Sequence, residues 1–194
     1  MLNIEEASKL SDEELVALTL ENQNYFLFII NRYKTKLFNY IRRISNFSPE
    51  NTEDLLQEIF LKIYLNLNGF NQDLKFSSWI YSIAHNQVIS GYRKFKARPE
   101  GHAVNLDDNL AKNLISDLNI TRSADLKILQ KNIFKILDEL EPEYREVLVL
   151  KFLEEKNYEE ISDIIKKPMG TVASRINKAK LLFKEELARQ KIKL

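Results

Sequence analysis

Residues 166–180 read KKPMGTVASRINKAK, and the fold of the chain turns on how this stretch is read. Pro168 sets a turn. Beyond it Val172, Ile176, Ala179 and Phe183 recur at three- and four-residue spacing, one face of an α-helix. Opposite that face stand Ala173, Ser174, Asn177 and Lys178. Just upstream, Tyr158, Ile161, Ile164 and Ile165 make a short helix that Pro168 stops. A short helix, a tight turn and a second helix apolar on one side are the parts of a helix-turn-helix. Charge separates this arrangement from an ordinary solvated helix face. Asp138–Asp163 holds ten acids and three basic residues, whereas Lys166–Leu194 holds nine basic residues and two acids. A basic terminal helix supplies the phosphate attraction that DNA binding requires. Small and polar side chains near its start can approach base edges, and Arg175 and Lys178 can reach phosphate or guanine.

Outward from this stretch the pattern stays helical. Leu126, Leu129, Ile133, Ile136, Leu137 and Leu140 form one stripe. Pro142 sits at a first helical position, and Tyr144, Val147, Leu148 and Phe152 continue the pattern. Residues 98–124 differ: Pro99, Gly101 and several Asp and Asn residues interrupt any periodicity, which predicts a flexible linker with at most one weak helical turn. Such a length without structure marks a domain boundary. The first block, 11–97, opens with a helix capped by Ser11, with Glu14 at capping-box spacing. A long helix follows, with Phe26, Ile29, Ile30, Tyr33, Leu37, Tyr40, Ile41 and Ile44 on one stripe, ended by Phe47-Ser48-Pro49. The next begins near Thr52, a plausible N-cap, and turns Leu56, Ile59, Phe60, Ile63 and Leu67 inward. After Asn68-Gly69 and a polar loop, a last helix carries Phe76, Ile80, Ile83 and Ala84 inside and a basic end at Arg93, Lys94, Lys96 and Arg98. The expected fold is therefore all-α: two helical domains, 11–97 and 125–190, joined by a flexible linker, the second containing the helix-turn-helix.

Composition narrows the chemistry. Apolar residues make up 44 % of the 194, enough for packed cores, and only four Gly and four Pro occur. With no Cys and two His, disulfides, thiolate zinc sites and cysteine nucleophiles are excluded, and no metal-ligating cluster is spaced for binding. Catalytic residues, metal ligands and cofactors are all expected to be absent, because no nucleotide loop or nucleophile–base pair is present. His85, on a helix, reads as an unremarkable surface residue. No run of about 18 apolar residues occurs, and the early acids of MLNIEEASKL do not suit a targeting signal. A soluble cytoplasmic protein without membrane insertion is expected, with no further domain after Leu187.

The second block, ELEPEYREVLVLKFLEEKNYEEISDIIKKPMGTVASRINKAKLLFKEEL, resembles the promoter-recognition domain of bacterial sigma factors of the sigma-70 family, in particular the compact extracytoplasmic-function (ECF) group. Its most specific piece is P-x-G-T-V-x-S-R-x-x-x-A-K, Pro168 to Lys180. The resemblance implies that this helix enters the major groove of the −35 element, with Thr171, Ala173, Ser174, Arg175, Asn177 and Lys178 facing DNA. The first block resembles the same family's polymerase-docking domain through E-D-L-L-Q-E and K-F-x-x-W-I-Y-x-I-A-x-N. By that resemblance Asp54, Gln57 and Glu58 bind the β′ clamp helices of core RNA polymerase, although first-turn acids also suit the helix dipole on their own. Asn71, Gln72, Asp73 and Lys75 lie where the family captures a flipped base of the −10 element, and Arg93 and Lys94 would track its backbone. Trp79 reads either as a buried anchor or as a stacking platform. The implied partners are core polymerase (β′ clamp helices and β flap), promoter DNA and an anti-sigma factor; the linker would thread toward the RNA exit path.

Three positions depart from the family pattern. Lys166 replaces a turn glycine, a position costing about 1 kcal/mol if it takes positive φ. Ala173 replaces a basic residue, and Ser90-Gly91 replaces an acid before the basic end of the first block. The alternative to a sigma factor is a stand-alone helix-turn-helix regulator binding an operator, which has no reason to carry EDLLQE and FSSW. A purely helical interaction protein would not bind DNA in a salt-dependent manner.

Overall fold

The computed structural model describes residues 4–71, 73–96 and 124–190, with side chains placed for 4–71, 73–92 and 132–190. Among these the secondary structure is helical, with no strand. In chain order the helices are α1 (Ile4–Lys9), α2 (Asp12–Glu21), α3 (Phe26–Ile44), α4 (Pro49–Asn66), α5 (Phe76–Lys96), α6 (Ala124–Glu139), α7 (Pro142–Leu148), α8 (Tyr158–Ile165) and α9 (Met169–Arg189). A π-helical turn, Val149–Leu153, extends α7. The linker helical turn expected between the domains lies outside the described residues.

The first bundle follows its apolar stripes. Ile29, Tyr33, Leu37, Tyr40, Ile41 and Ile44 of α3 are buried, as are Leu56, Ile59, Phe60 and Ile63 of α4 and Phe76, Ile80 and Ala84 of α5. α4 packs on both α3 and α5, and α2 lies across α3. Ser11 and Glu14 form the predicted capping box of α2, each side chain bonding the other's backbone N–H. Two boundaries differ from expectation. A short helix, α1, precedes Ser11. The cap of α4 is Ser48, whose Oγ accepts from the Asn51 N–H at 3.2 Å, with Pro49 in the first turn. Thr52 is instead buried, its hydroxyl donating to the Ser48 carbonyl. Four residues upstream of Thr52, Ser48-Pro49 is the better start: proline's missing N–H costs nothing in a first turn. Gly91 lets α5 pass Phe47 closely, since a Cβ there would meet the Phe47 ring at 3.1 Å.

In the second bundle α9 packs on α6, α7 and α8. Ile161, Ile164 and Ile165 of α8 meet Val172, Ile176 and Ala179 of α9, all buried. Asn157 and Glu160 form a second capping box at the start of α8. Lys166 ends α8 in the left-handed conformation, φ 52°, so the strain expected of a side chain at this turn is present. Phe152 departs from its predicted stripe and is 55 % exposed. The π turn, closed by the Glu154 N–H to the Val149 carbonyl, inserts an extra residue and rotates Phe152 off the core face.

The two bundles are packed against each other, chiefly α5 against α8 and α3 against α7 and the π turn. Their apolar residues form one continuous buried cluster.

Candidate polymerase and nucleic-acid interfaces

The N-terminal half of α9 begins at its Pro168 cap. Pro168 accepts the first two backbone bonds, from Thr171 and Val172, and Ser174 Oγ donates to the Thr171 carbonyl at 2.9 Å. Of the six residues singled out here, Ser174, Asn177 and Lys178 are exposed, while Thr171, Ala173 and Arg175 are half-buried. Arg175 is engaged: its guanidinium lies 2.7 Å from Glu143 Oε2 on α7. On the far side of α9, Leu181, Phe183 and Leu187 face Ile133, Leu137 and Phe152 across an apolar groove of about 530 Å³, with Lys180 and Lys184 on its rim. Asn177 sits at its edge, between groove and exposed face. The groove was not read from the sequence. Its signal was there: Phe152 and Leu181 are large apolar residues on exposed helix positions.

On α4, Asp54, Gln57 and Glu58 are all exposed. Glu58 accepts a bond from Gln87 Nε2 at 3.1 Å, and Gln87 Oε1 accepts from Lys62 at 2.5 Å, so α5 braces this face from below. Leu61 and Leu65, 59 % and 66 % exposed, continue the line of Asp54 and Glu58 at helical spacing. Sequence reading missed them, although neither fits the buried stripe of Leu56, Ile59 and Ile63.

Between α4 and α5, Phe70 is buried against Phe76 and Trp79, with ring centroids 5.1 and 5.3 Å away. Trp79 is half-buried and stacks on Phe76 at 5.6 Å, so its ring anchors the loop to α5. Asn71 and Asp73 are exposed, and Asn71 Oδ1 accepts from the Asp73 N–H. Lys75 is exposed but ends 3.3 Å from Glu160 of α8. Gln72 lies outside the described residues, as do the side chains of Arg93 and Lys94, whose backbone belongs to α5.

A polar seam joins the bundles. Glu146 Oε1 accepts from the Tyr40 hydroxyl at 2.5 Å and stands 2.6 Å from His85 Nδ1. Glu154 accepts from Arg43 at 2.9 Å and from the Tyr81 hydroxyl. Lys156 donates to Ser77 Oγ at 2.9 Å and lies 4.9 Å from the Tyr81 ring centre. Arg145, buried, donates to Asn46 Oδ1 at 3.0 Å. His85 is thus not the surface residue its sequence context suggested: the second bundle covers it. Burial, reinforced by Glu146, pushes the Tyr40 phenol well above its ordinary range; burial and Glu154 do the same to Tyr81. Burial lowers the Lys156 ammonium. Burial would raise the Glu160 carboxyl, but the Asn157 N–H, Lys156 and Lys75 together hold it low. No group of three His, Cys, Asp or Glu among the described residues could hold a metal, and no described helix is long and apolar enough to cross a membrane.

The chain matches two family descriptions, "Sigma-70 region 2" over residues 29–98 and "Sigma-70, region 4" over 130–182. It is 30 % identical over 179 residues to the ECF RNA polymerase sigma factor SigW of Bacillus subtilis, covering 86 % of this chain and 90 % of that one. It is 30 % identical over 183 residues to the ECF RNA polymerase sigma-E factor of Escherichia coli K12, covering 90 % and 93 %. Its fold is similar to CnrH, solved in complex with the cytosolic domain of CnrY, with a TM-score of 0.67 at 20 % identity over 92 % of this chain and 97 % of that one. It is also similar to the sigma factor RpoE in complex with the anti-sigma factor NepR from Bartonella quintana, with a TM-score of 0.63 at 21 % identity over 84 % and 96 %.

Proposed function

Because the chain belongs to the ECF group of the sigma-70 family of RNA polymerase sigma factors, we propose a division of labour between its two bundles in promoter-specific initiation. The first bundle docks on core polymerase through α4. Asp54, Gln57 and Glu58 meet basic residues of the β′ clamp helices, and the exposed Leu61 and Leu65 add apolar area beside them. The loop from Asn71 to Lys75, Gln72 included, receives an unstacked −10 base, with Asn71 and Asp73 bonding its edge and Lys75 its phosphate. Trp79 holds that loop in place through Phe70. Arg93 and Lys94 follow the backbone of the melted strand.

The second bundle reads the −35 element through α9. Thr171, Ala173, Ser174 and Asn177 approach base edges while Arg175 and Lys178 contact phosphate or guanine. Arg175 must exchange Glu143 for DNA, so its contribution is a difference between two charged partners. The apolar groove behind α9, walled by Phe152 and Leu181, is the surface that would receive the β flap. Of the similar structures, CnrH is bound to the cytosolic domain of CnrY and RpoE to the anti-sigma factor NepR, which supports an anti-sigma partner for this protein. The activity is that of an initiation factor acting in the cytoplasm, not of an enzyme.

The observation that carries this reading is the presence of both family domains, in order, in one chain whose α9 exposes Ser174, Asn177 and Lys178. Arg175→Ala and Lys178→Ala test it. Each should weaken promoter binding and flatten its salt dependence by about one phosphate contact, while binding to core polymerase persists. Equal loss of both activities would contradict the assignment of α9.

A further inference from the structure

One polar cavity has no part in the functions assigned above. Its volume is about 300 Å³, and it lies where α3 and α5 meet the turn that follows the π helix. α3 contributes Lys36, Asn39 and Arg43, which recur at three- and four-residue spacing and so share one side of the helix. Ser77 and Tyr81 come from α5, one turn apart, and residues 154–156 close the third side. Cavities that take small ligands begin at about this size, roughly 300 Å³.

The charges on its lining are met unevenly. Arg43 pairs with Glu154 at 2.9 Å, and the Tyr81 hydroxyl engages the same carboxylate. Glu155 is exposed, where solvent screens it. Lys36 and Lys156 are different: among the described residues, neither ammonium has a carboxylate within ion-pair distance. Lys36 reaches the Tyr33 ring at 5.7 Å, and Lys156 rests on Ser77 Oγ at 2.9 Å. Burial lowers the Lys156 ammonium, and the charges of Lys36 and Lys75 push it the same way. Two neutral donors stand beside this pair of lysines. The Asn39 amide has no side-chain partner among the described residues. Ser77 accepts from Lys156 and so keeps its own O–H to donate. The backbone is shaped here as well. Glu155 has a φ of 54°, and the next residue, Lys156, is tied by its N–H to the Leu150 carbonyl at 2.9 Å. A left-handed residue that is not glycine costs energy, and such strain collects where backbone is formed around a ligand.

We propose that this cavity binds a small diphosphate-bearing anion, with Lys36 and Lys156 as its charge partners and Asn39 and Ser77 as hydrogen-bond donors. Phosphate oxygens accept wherever these four groups donate, and lysine serves phosphate as a point charge. The two lysines approach from different walls, so two phosphoryl groups give each ammonium a partner of its own.

Isothermal titration calorimetry on the full chain tests the site, with sodium pyrophosphate and ADP as probes. One equivalent of each should bind with a Kd below about 1 mM in about 0.1 M salt. Lys36→Glu should weaken both by about tenfold or more, and Lys36→Glu/Lys156→Gln should abolish binding. Lys36 is exposed, so its single variant tests the site without disturbing the half-buried Lys156. Lys34→Ala/Lys135→Ala changes net charge by the same amount as Lys36→Glu, at exposed positions elsewhere, and should bind as the wild type does. Equal affinity for the two probes would place recognition in the diphosphate, and tighter binding of ADP would add the nucleoside; either result supports the site. No saturable heat with either probe would overturn it, as would equal loss in the Lys34→Ala/Lys135→Ala chain. Pentathymidylate that binds through Lys36 while pyrophosphate does not bind would also overturn it, and would assign these lysines to a DNA backbone.

Discussion

Lys166 shows what one residue can disclose. Its side chain occupies a left-handed turn that suits glycine, between the two helices of the helix-turn-helix. The turn is held by neighbours: the Lys166 N–H donates to the Ser162 carbonyl, and Ser162 Oγ donates to the Lys167 carbonyl at 2.6 Å. Lys166→Gly should therefore stabilise the fold by about 0.5–1 kcal/mol, the relieved strain less the added freedom of the unfolded chain. The check is the urea midpoint of unfolding, which should rise; a fall would mean that the lysine makes a contact worth more than its strain. Arg175 teaches the reverse lesson. The sequence marks it as a DNA contact, and only the fold reveals that it is held at 2.7 Å by Glu143.

At the scale of elements, most of the fold is legible because helix periodicity and caps are local properties. The buried residues of α3, α4, α8 and α9 are nearly the stripes that spacing alone picks out, and both Ser11 and the Pro142 start fall where expected. The misses have physical causes. Ser48-Pro49 and Thr52 are both good helix starts, and local chemistry ranks them only after the chain has bent into Ser45–Phe47. The π turn at Val149–Leu153 has no signature in the apolar pattern, so Phe152 is assigned inward and emerges at 55 % exposure. That displacement matters, because Phe152 then forms one wall of the apolar groove. The candidate site is legible where a motif is contiguous, as in α9, and illegible where it is assembled. Leu61 and Leu65 announce themselves only when their neighbours are known to be buried. His85, Tyr40 and Tyr81 have partners 61 to 106 residues away in the sequence.

At the scale of the whole molecule, the seam makes stability depend on pH in a definite direction. Tyr40 and Tyr81 have phenols raised above the ordinary value of 10.0, each facing a glutamate of the other bundle, with Arg43 and Lys156 nearby. Between that ordinary value and the raised ones, the unfolded chain releases protons that the folded chain keeps. The contribution of these tyrosines is thus complete below about pH 10 and is lost as pH rises beyond it. Thermal midpoints should fall steadily above pH 10, with part of the tyrosinate absorbance appearing only as the protein opens. Midpoints unchanged while every tyrosine ionises near 10 would contradict the buried seam. The central claim remains that two helical bundles act together to place RNA polymerase at a promoter. Run-off transcription with core polymerase on genomic DNA, with and without this chain, tests it most directly. The account predicts discrete new transcripts that require the chain and disappear with Arg175→Ala/Lys178→Ala; no stimulated start at any site would contradict it.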